Sequence, residues 1–109
     1  MKHNVYTVKE ELARNDAWVE RALVVLYHRQ TAIEQASRTT YNKNEVGFQV
    51  ADAKEFSGYA KQLLTGKHLS EAQLARTRRP WHRGSFPQPT ICKYAGQILE
   101  VIREREERR

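Results

Sequence analysis

The chain has 109 residues, a mass of 12.8 kDa and a mean hydropathy of −0.80, with 39% hydrophobic and 29% charged residues. That length suits one small domain and is too short for two separate cores, while the composition is polar yet foldable. Nineteen Lys and Arg against thirteen Asp and Glu leave a formal charge of +6 and a pI near 9.7.

The longest apolar run, residues 22–27, falls far short of the roughly 20 residues that span a bilayer, so no membrane segment is expected. The opening Met1-Lys2-His3-Asn4-Val5-Tyr6 has no apolar h-region, so no secretory leader is expected either. A lone cysteine, Cys92, excludes an internal disulfide framework and fits a reducing compartment. The expected location is the cytoplasm.

Helix punctuation recurs along the chain. Thr7-Val8-Lys9-Glu10 has the form of a capping box and predicts a short helix over about 8–13. Asn15 and Asp16 offer a second N-cap, ahead of apolar residues at 18, 19, 22, 23, 25 and 26. An apolar surface that wide belongs to a central helix, and the pattern extends through Thr31, Ala32, Ile33 and Ala36. Residues 37–49 lose all periodicity and read as a loop. Helical spacing resumes over 51–65 with Ala53, Phe56, Ala60, Leu63 and Leu64; Asp52 reads as its cap and Gly66 as its stop. Ser70-Glu71-Ala72-Gln73 is a second capping box, opening a helix to about Arg79 that Pro80 ends.

Residues 81–89 contain Gly84, Pro87 and Pro89 and read as an irregular loop. Thr90 is the expected cap of a last helix with apolar positions 91, 94, 95, 98, 99 and 102, a regular helical stripe. Nothing reads as a strand. The expected fold is all-α, a compact bundle of about four to five helices with an irregular basic loop near 80–89. One domain is expected over 1–103, with a charged, frayed tail over 104–109.

Several short segments carry a resemblance. Tyr6-Thr7-Val8-Lys9-Glu10-Glu11-Leu12, Asn15-Asp16-Ala17-Trp18, Tyr27, Arg29-Gln30-Thr31 and Glu34-Gln35 lie in the first third. Val46-Gly47-Phe48, Asp52-Ala53, Leu69-Ser70, Gln73-Leu74 and Lys93-Tyr94-Ala95-Gly96-Gln97 follow. Together they resemble small uncharacterised helical proteins of bacterial plasmids and phages. A Gly-Phe to Tyr-Ala-Gly-Gln segment similar to this one occurs beside helicase-like modules of mobile elements. The resemblance implies a helical protein of mobile-element biology and brings no catalytic residues. It also implies a basic helix running almost directly into Lys93-Tyr94-Ala95-Gly96-Gln97, whereas here residues 80–89 intervene.

The charge is unevenly placed. From Tyr59 to Tyr94 there are seven basic residues, Lys61, Lys67, Arg76, Arg78, Arg79, Arg83 and Lys93, against Glu71 alone. The other twelve basic residues are balanced by twelve acidic ones, so the whole net charge lies in that third. Arg76, Arg78, Arg79, His82 and Arg83 are interleaved with Trp81 and Phe86. Guanidinium groups bind phosphate through two donors at once, and aromatic faces stack on unpaired bases. Arg76, Arg78, Arg79, Trp81, His82, Arg83, Phe86 and Lys93 are therefore the candidate nucleic-acid contacts, for DNA or RNA. On this reading, replacing Arg78 and Arg79 weakens binding and leaves the melting temperature nearly unchanged. The plain alternative is a solvated basic face with Trp81 or Phe86 plugging the core.

Other chemistry is sparse. His3, His28, His68 and His82 show no ligand spacing with one another or with Cys92, so no metal or other cofactor is expected. Cys92 near a helix start beside Lys93 has two readings, a thiol of lowered pKa or a small buried side chain without function. No phosphate-cradling glycine loop or hydrolytic triad is present, and an enzyme is not expected. Ile91, Tyr94, Ile98 and Ile102 form a stripe that either packs internally or meets a partner helix, a host protein or a second copy.

The reading is a non-catalytic nucleic-acid-binding accessory protein of a mobile element. The alternative is a protein-binding inhibitor or adaptor directed at a host defence system, of anti-CRISPR or anti-restriction type. A third is an oligomer-forming accessory protein with no ligand of its own.

Overall fold

A computed structural model describes residues 3–37, 47–83 and 86–107, with the backbone alone at 32–37, 50, 82, 83 and 86. Its class is all-α, as expected. Among the described residues lie α1 (Val5–Arg14), α2 (Asp16–Ser37), α3 (Val50–Leu64), α4 (Glu71–Thr77) and α5 (Ala95–Glu107). Between α4 and α5 come two short strands, β1 (Pro80–Arg83) and β2 (Phe86–Pro89), and a 3₁₀ helix over Thr90–Tyr94. Where one domain is expected, the chain divides into two units, Met1–Val19 with Ser70–Arg109, and Glu20–Leu69.

In the first unit, α1 begins earlier than the Thr7 box predicts. The Asn4 carboxamide oxygen accepts from the backbone N–H groups of Tyr6 and Thr7 at 2.9 and 3.0 Å. The Thr7 hydroxyl oxygen accepts from the Asn4 N–H at 2.9 Å, so Thr7 completes a box that Asn4 opens. Asparagine is as good an N-cap as threonine, and the earlier start adds a turn ahead of Val8 and Leu12, both fully buried. Asn15 then closes α1, donating its N–H to the Glu11 carbonyl at 2.7 Å, and its side chain accepts from the Ala17 N–H at 3.1 Å to open α2.

The Ser70–Gln73 box opens α4 as predicted, with both reciprocal bonds present. The helix stops at Thr77 rather than at Arg79. Pro80 keeps Arg79 out of the helical region. Thr77, fully buried, turns its hydroxyl onto the Leu74 carbonyl at 2.6 Å.

The irregular loop expected over 81–89 is instead an antiparallel ribbon pairing Pro80↔Pro89, Trp81↔Gln88, His82↔Pro87 and Arg83↔Phe86. Its prolines led to the loop reading, and their placement explains the strands. Just outside the ribbon, the Thr90 N–H donates to the directly opposite Arg79 carbonyl at 2.9 Å. Bonded and non-bonded pairs alternate along an antiparallel ladder, so 81↔88 and 83↔86 are the bonded pairs. Pro80, Pro87 and Pro89 all fall at the non-bonded positions, where a missing N–H costs the ladder nothing.

Thr90 does not cap the last helix. Its hydroxyl is spent on the same Arg79 carbonyl, at 2.7 Å. The chain passes through the 3₁₀ helix before α5 begins at Ala95. Both pieces pack on α1, burying Ile91, Cys92, Tyr94, Ala95, Ile98 and Leu99 in the same unit as Val8 and Leu12. Each fully buried large side chain is worth about 1.5–3 kcal/mol relative to exposure. The tail expected to fray is helical through Glu107, with Glu100 one turn ahead of Arg103, the favourable acid-before-base order.

In the second unit, Ala22, Leu23 and Leu26 of α2 and Phe56 and Ala60 of α3 are buried, with Phe48 edge-on to Phe56 at 5.6 Å. Most of the predicted 37–49 loop lies outside the described residues. At its end Gly47 takes φ +85, and the Phe48 N–H donates to the buried Gln30 side chain at 3.0 Å. A Cβ on Gly47 would fall 2.5 Å from the Gln30 Cβ, so the backbone crosses α2 at a distance only glycine permits.

Asp52 is not the cap of α3. Gln49 holds that position without a side-chain bond, and Asp52 is the third helical residue, 2% exposed. A carboxylate in the first turn still meets the positive end of the helix dipole, which is why it mimics a cap in the sequence. Gly66 stops the helix as predicted, at φ +93. The Gly66 and Lys67 N–H groups donate to the Leu63 and Gln62 carbonyls, the paired bonds of a Schellman turn.

Candidate nucleic-acid interface

The candidate residues lie in the first unit, on the end of α4, the ribbon and the 3₁₀ helix. Arg76 is exposed in the last turn of α4. Arg79 is half-buried and donates through Nη1 to the Arg76 carbonyl at 3.2 Å, which folds its guanidinium back along the helix end.

Arg78 has a different job from the one expected. Its Nε donates to the Leu12 carbonyl at 3.1 Å and its Nη1 to the Asp16 carboxylate at 2.7 Å. Leu12 lies in the last turn of α1, where carbonyls have no partner within the helix, and Asp16 is the first residue of α2. The side chain is 22% exposed, and Nη2 is buried without a hydrogen-bond partner among the described residues. Arg78 is a clamp on the α1–α2 joint and leaves the phosphate-binding set. No feature near Arg78 in the sequence names partners more than sixty positions away.

Trp81 and Lys93 are brought together by the register of the ribbon. The Lys93 ammonium lies 5.1 Å from the centre of the half-buried Trp81 ring and 5.6 Å from that of Tyr94, which is 2% exposed. Attraction between a cation and a ring face is worth about 0.5–1 kcal/mol even at exposed sites, enough to bias where the flexible lysine stem sits. The sequence places the two residues on opposite sides of an irregular loop. Only the pairing of β1 with β2 returns the chain to Trp81. The side chains of His82, Arg83 and Phe86, also expected here, lie outside the described residues.

The stripe expected to meet a partner is turned inward. Ile91, Tyr94 and Ile98 are 0%, 2% and 6% exposed and belong to the first unit's own core, while Ile102 is half-buried further along α5. The stripe cannot serve as a partner surface without unpacking α5 from α1.

Cys92 is buried beside them, its Sγ 3.5 Å from the Lys9 carbonyl. Burial pushes its thiol above the ordinary value of 9.0, against the opposing pull of the Lys9 and Arg78 charges. The activated thiol of the first reading is thereby replaced by the inert one. Among the described residues no three His, Cys, Asp or Glu side chains gather as a metal site, and no helix is long and apolar enough to cross a membrane. Comparison with protein-family models, curated proteins and solved structures returned no match.

Proposed function

We propose that the protein is a non-catalytic nucleic-acid-binding accessory protein of a mobile genetic element. Arg76, Arg79 and Lys93 hold phosphates, and Trp81 takes a base against its ring or wedges against sugar. The observation that carries the reading is the Lys93 ammonium 5.1 Å over the Trp81 ring, two residues along the chain from Arg79. A cation beside an aromatic face is the pairing that single-strand binders use, with charge for the backbone and π-surface for the base. The mobile-element setting rests on the resemblance described above.

Fluorescence anisotropy with labelled single- and double-stranded DNA and RNA at about 50 and 200 mM salt tests the reading. Binding should weaken steeply with salt. Arg76→Gln with Arg79→Gln should flatten the slope of log K against log salt by about 1.5, from two lost phosphate contacts. Trp81→Ala should cost about 1–3 kcal/mol for single strands in particular. Absence of binding to every probe at the lower salt, with the protein folded by circular dichroism, refutes it.

A further inference from the structure

By count, α3 is neutral, with Asp52 and Glu55 against Lys54 and Lys61. The fold sorts these charges. Asp52 is buried, and the half-buried Glu55 is held on its own helix, its carboxylate accepting from the Tyr59 hydroxyl at 3.0 Å. Lys54 and Lys61 are exposed, on the same helical face as exposed Ala51 and Gly58. At the end of the Schellman turn, Lys67 is exposed as well. The ammonium groups of Lys54, Lys61 and Lys67 make no ion pair among the described residues. A helix that carries no charge on paper therefore presents a positive face, in the unit that holds none of the ribbon residues.

We infer that this face of α3 is a second nucleic-acid contact, which binds the phosphate backbone without reading bases and works independently of the ribbon. Two features of the face select this partner. Lys54 and Lys61 stand about 10.5 Å apart along the helix axis, far enough for each ammonium to meet a different phosphate of one strand. Between them Gly58 has open space around its missing Cβ, and one turn before Lys54 stands the small Ala51, so a backbone can lie close to the helix.

The residue types also argue against the other two anionic partners. Protein interfaces are rich in Trp, Tyr and Arg anchors and poor in Lys at their centres, and this face has lysines without anchors. A helix lying in a membrane surface needs a stripe of large apolar residues to insert. Here the face carries Ala51 one turn before Lys54 and Gly58 between the lysines, and the large apolar side chain exposed on α3 is Leu64, at its end. A lysine ammonium acts on phosphate as a point charge, which suits contact that ignores sequence.

The test uses the full chain and a labelled oligothymidylate, with anisotropy measured over a series of salt concentrations. The triple change Lys54→Gln, Lys61→Gln, Lys67→Gln should lower the salt slope by about 2 and weaken binding on the order of a hundredfold at the lowest salt. The corresponding Lys→Arg triple should restore both. Thermal unfolding should be unchanged in either, because the three side chains are exposed. In a background of Arg76→Gln, Arg79→Gln and Trp81→Ala, residual binding should persist and be abolished by the lysine changes.

An unaltered slope in the lysine triple, with the ribbon changes still effective, overturns this inference and leaves the ribbon reading standing. The reverse pattern overturns the ribbon reading alone. Loss of binding to phosphatidylglycerol vesicles or polyaspartate in the triple, with oligothymidylate binding intact, identifies a lipid or protein partner and also overturns the inference. A wild-type chain that binds no oligonucleotide overturns both.

Discussion

Arg78→Ala removes a clamp, and its cost follows from the contacts. The bond from Nε to the Leu12 carbonyl has a charged donor, a class worth about 1.5–3 kcal/mol. The pair with Asp16 is short at 2.7 Å, but the Asp16 side chain is 60% exposed, so screening holds its contribution to at most about 1 kcal/mol. Opposing these, truncation also removes the unpartnered buried Nη2, which relieves a desolvation cost of about 1–3 kcal/mol. The midpoints of these ranges leave a net loss of about 1 kcal/mol, or a drop of about 4–8 °C in Tm for a chain of this size. Thermal unfolding followed by far-UV circular dichroism measures it, with Arg76→Ala as the exposed comparator, expected within about 0.5 kcal/mol of wild type. An Arg78→Ala protein that melts within about 2 °C of wild type refutes the clamp and returns Arg78 to the surface cations.

Three further outcomes are expected. Gly47→Ala, at φ +85 with its new Cβ 2.5 Å from the Gln30 Cβ, should destabilise by more than about 2 kcal/mol, whereas Gly58→Ala in open helical space should stabilise by about 0.5–1 kcal/mol; paired urea titrations show both signs. Cys92 has its thiol raised above 9.0, so the thiolate is scarcer at pH 8 than in an ordinary thiol. A disulfide reagent should react far more slowly with the native protein than with the urea-unfolded chain, and equal rates would show that the site opens freely. Thr90→Val removes the 2.7 Å hydroxyl bond to the Arg79 carbonyl and keeps the backbone rung, so stability should fall by about 1 kcal/mol, with hydrogen exchange accelerating first at the ribbon.

The parts of this fold that are legible in the sequence are those fixed by neighbouring residues. The Ser70–Gln73 box, the Asn15 joint and the Gly66 stop are settled within four residues or so, and each forms as read. Competition between equally good local signals explains the misplaced cap, since Asn4 and Thr7 both qualify and the burial of Val8 and Leu12 favours the longer helix. The ribbon is hidden because each of the three prolines, taken alone, is a breaker. Taken together, all three have the same parity about Gly84-Ser85, and Gly-Ser is a pair that closes two-residue hairpins. The candidate interface was legible in composition and not in assignment. Whether an arginine faces solvent or a carbonyl is decided by tertiary contacts that no spacing encodes, as Arg78 and Leu12 show.

The parity of the prolines has another consequence, for the outer rims of the ribbon. A two-stranded ribbon is all edge, and an exposed edge templates further strands, which is how such segments seed aggregation. The N–H groups that face outward are those at the non-bonded positions, 80 and 82 on β1 and 87 and 89 on β2. On β2 both are prolines, so an approaching strand finds acceptors and no donors. On β1 the His82 amide alone remains. A basic, aromatic segment that would otherwise be adhesive is thus kept from growing into a larger sheet by the residues that make it look unstructured.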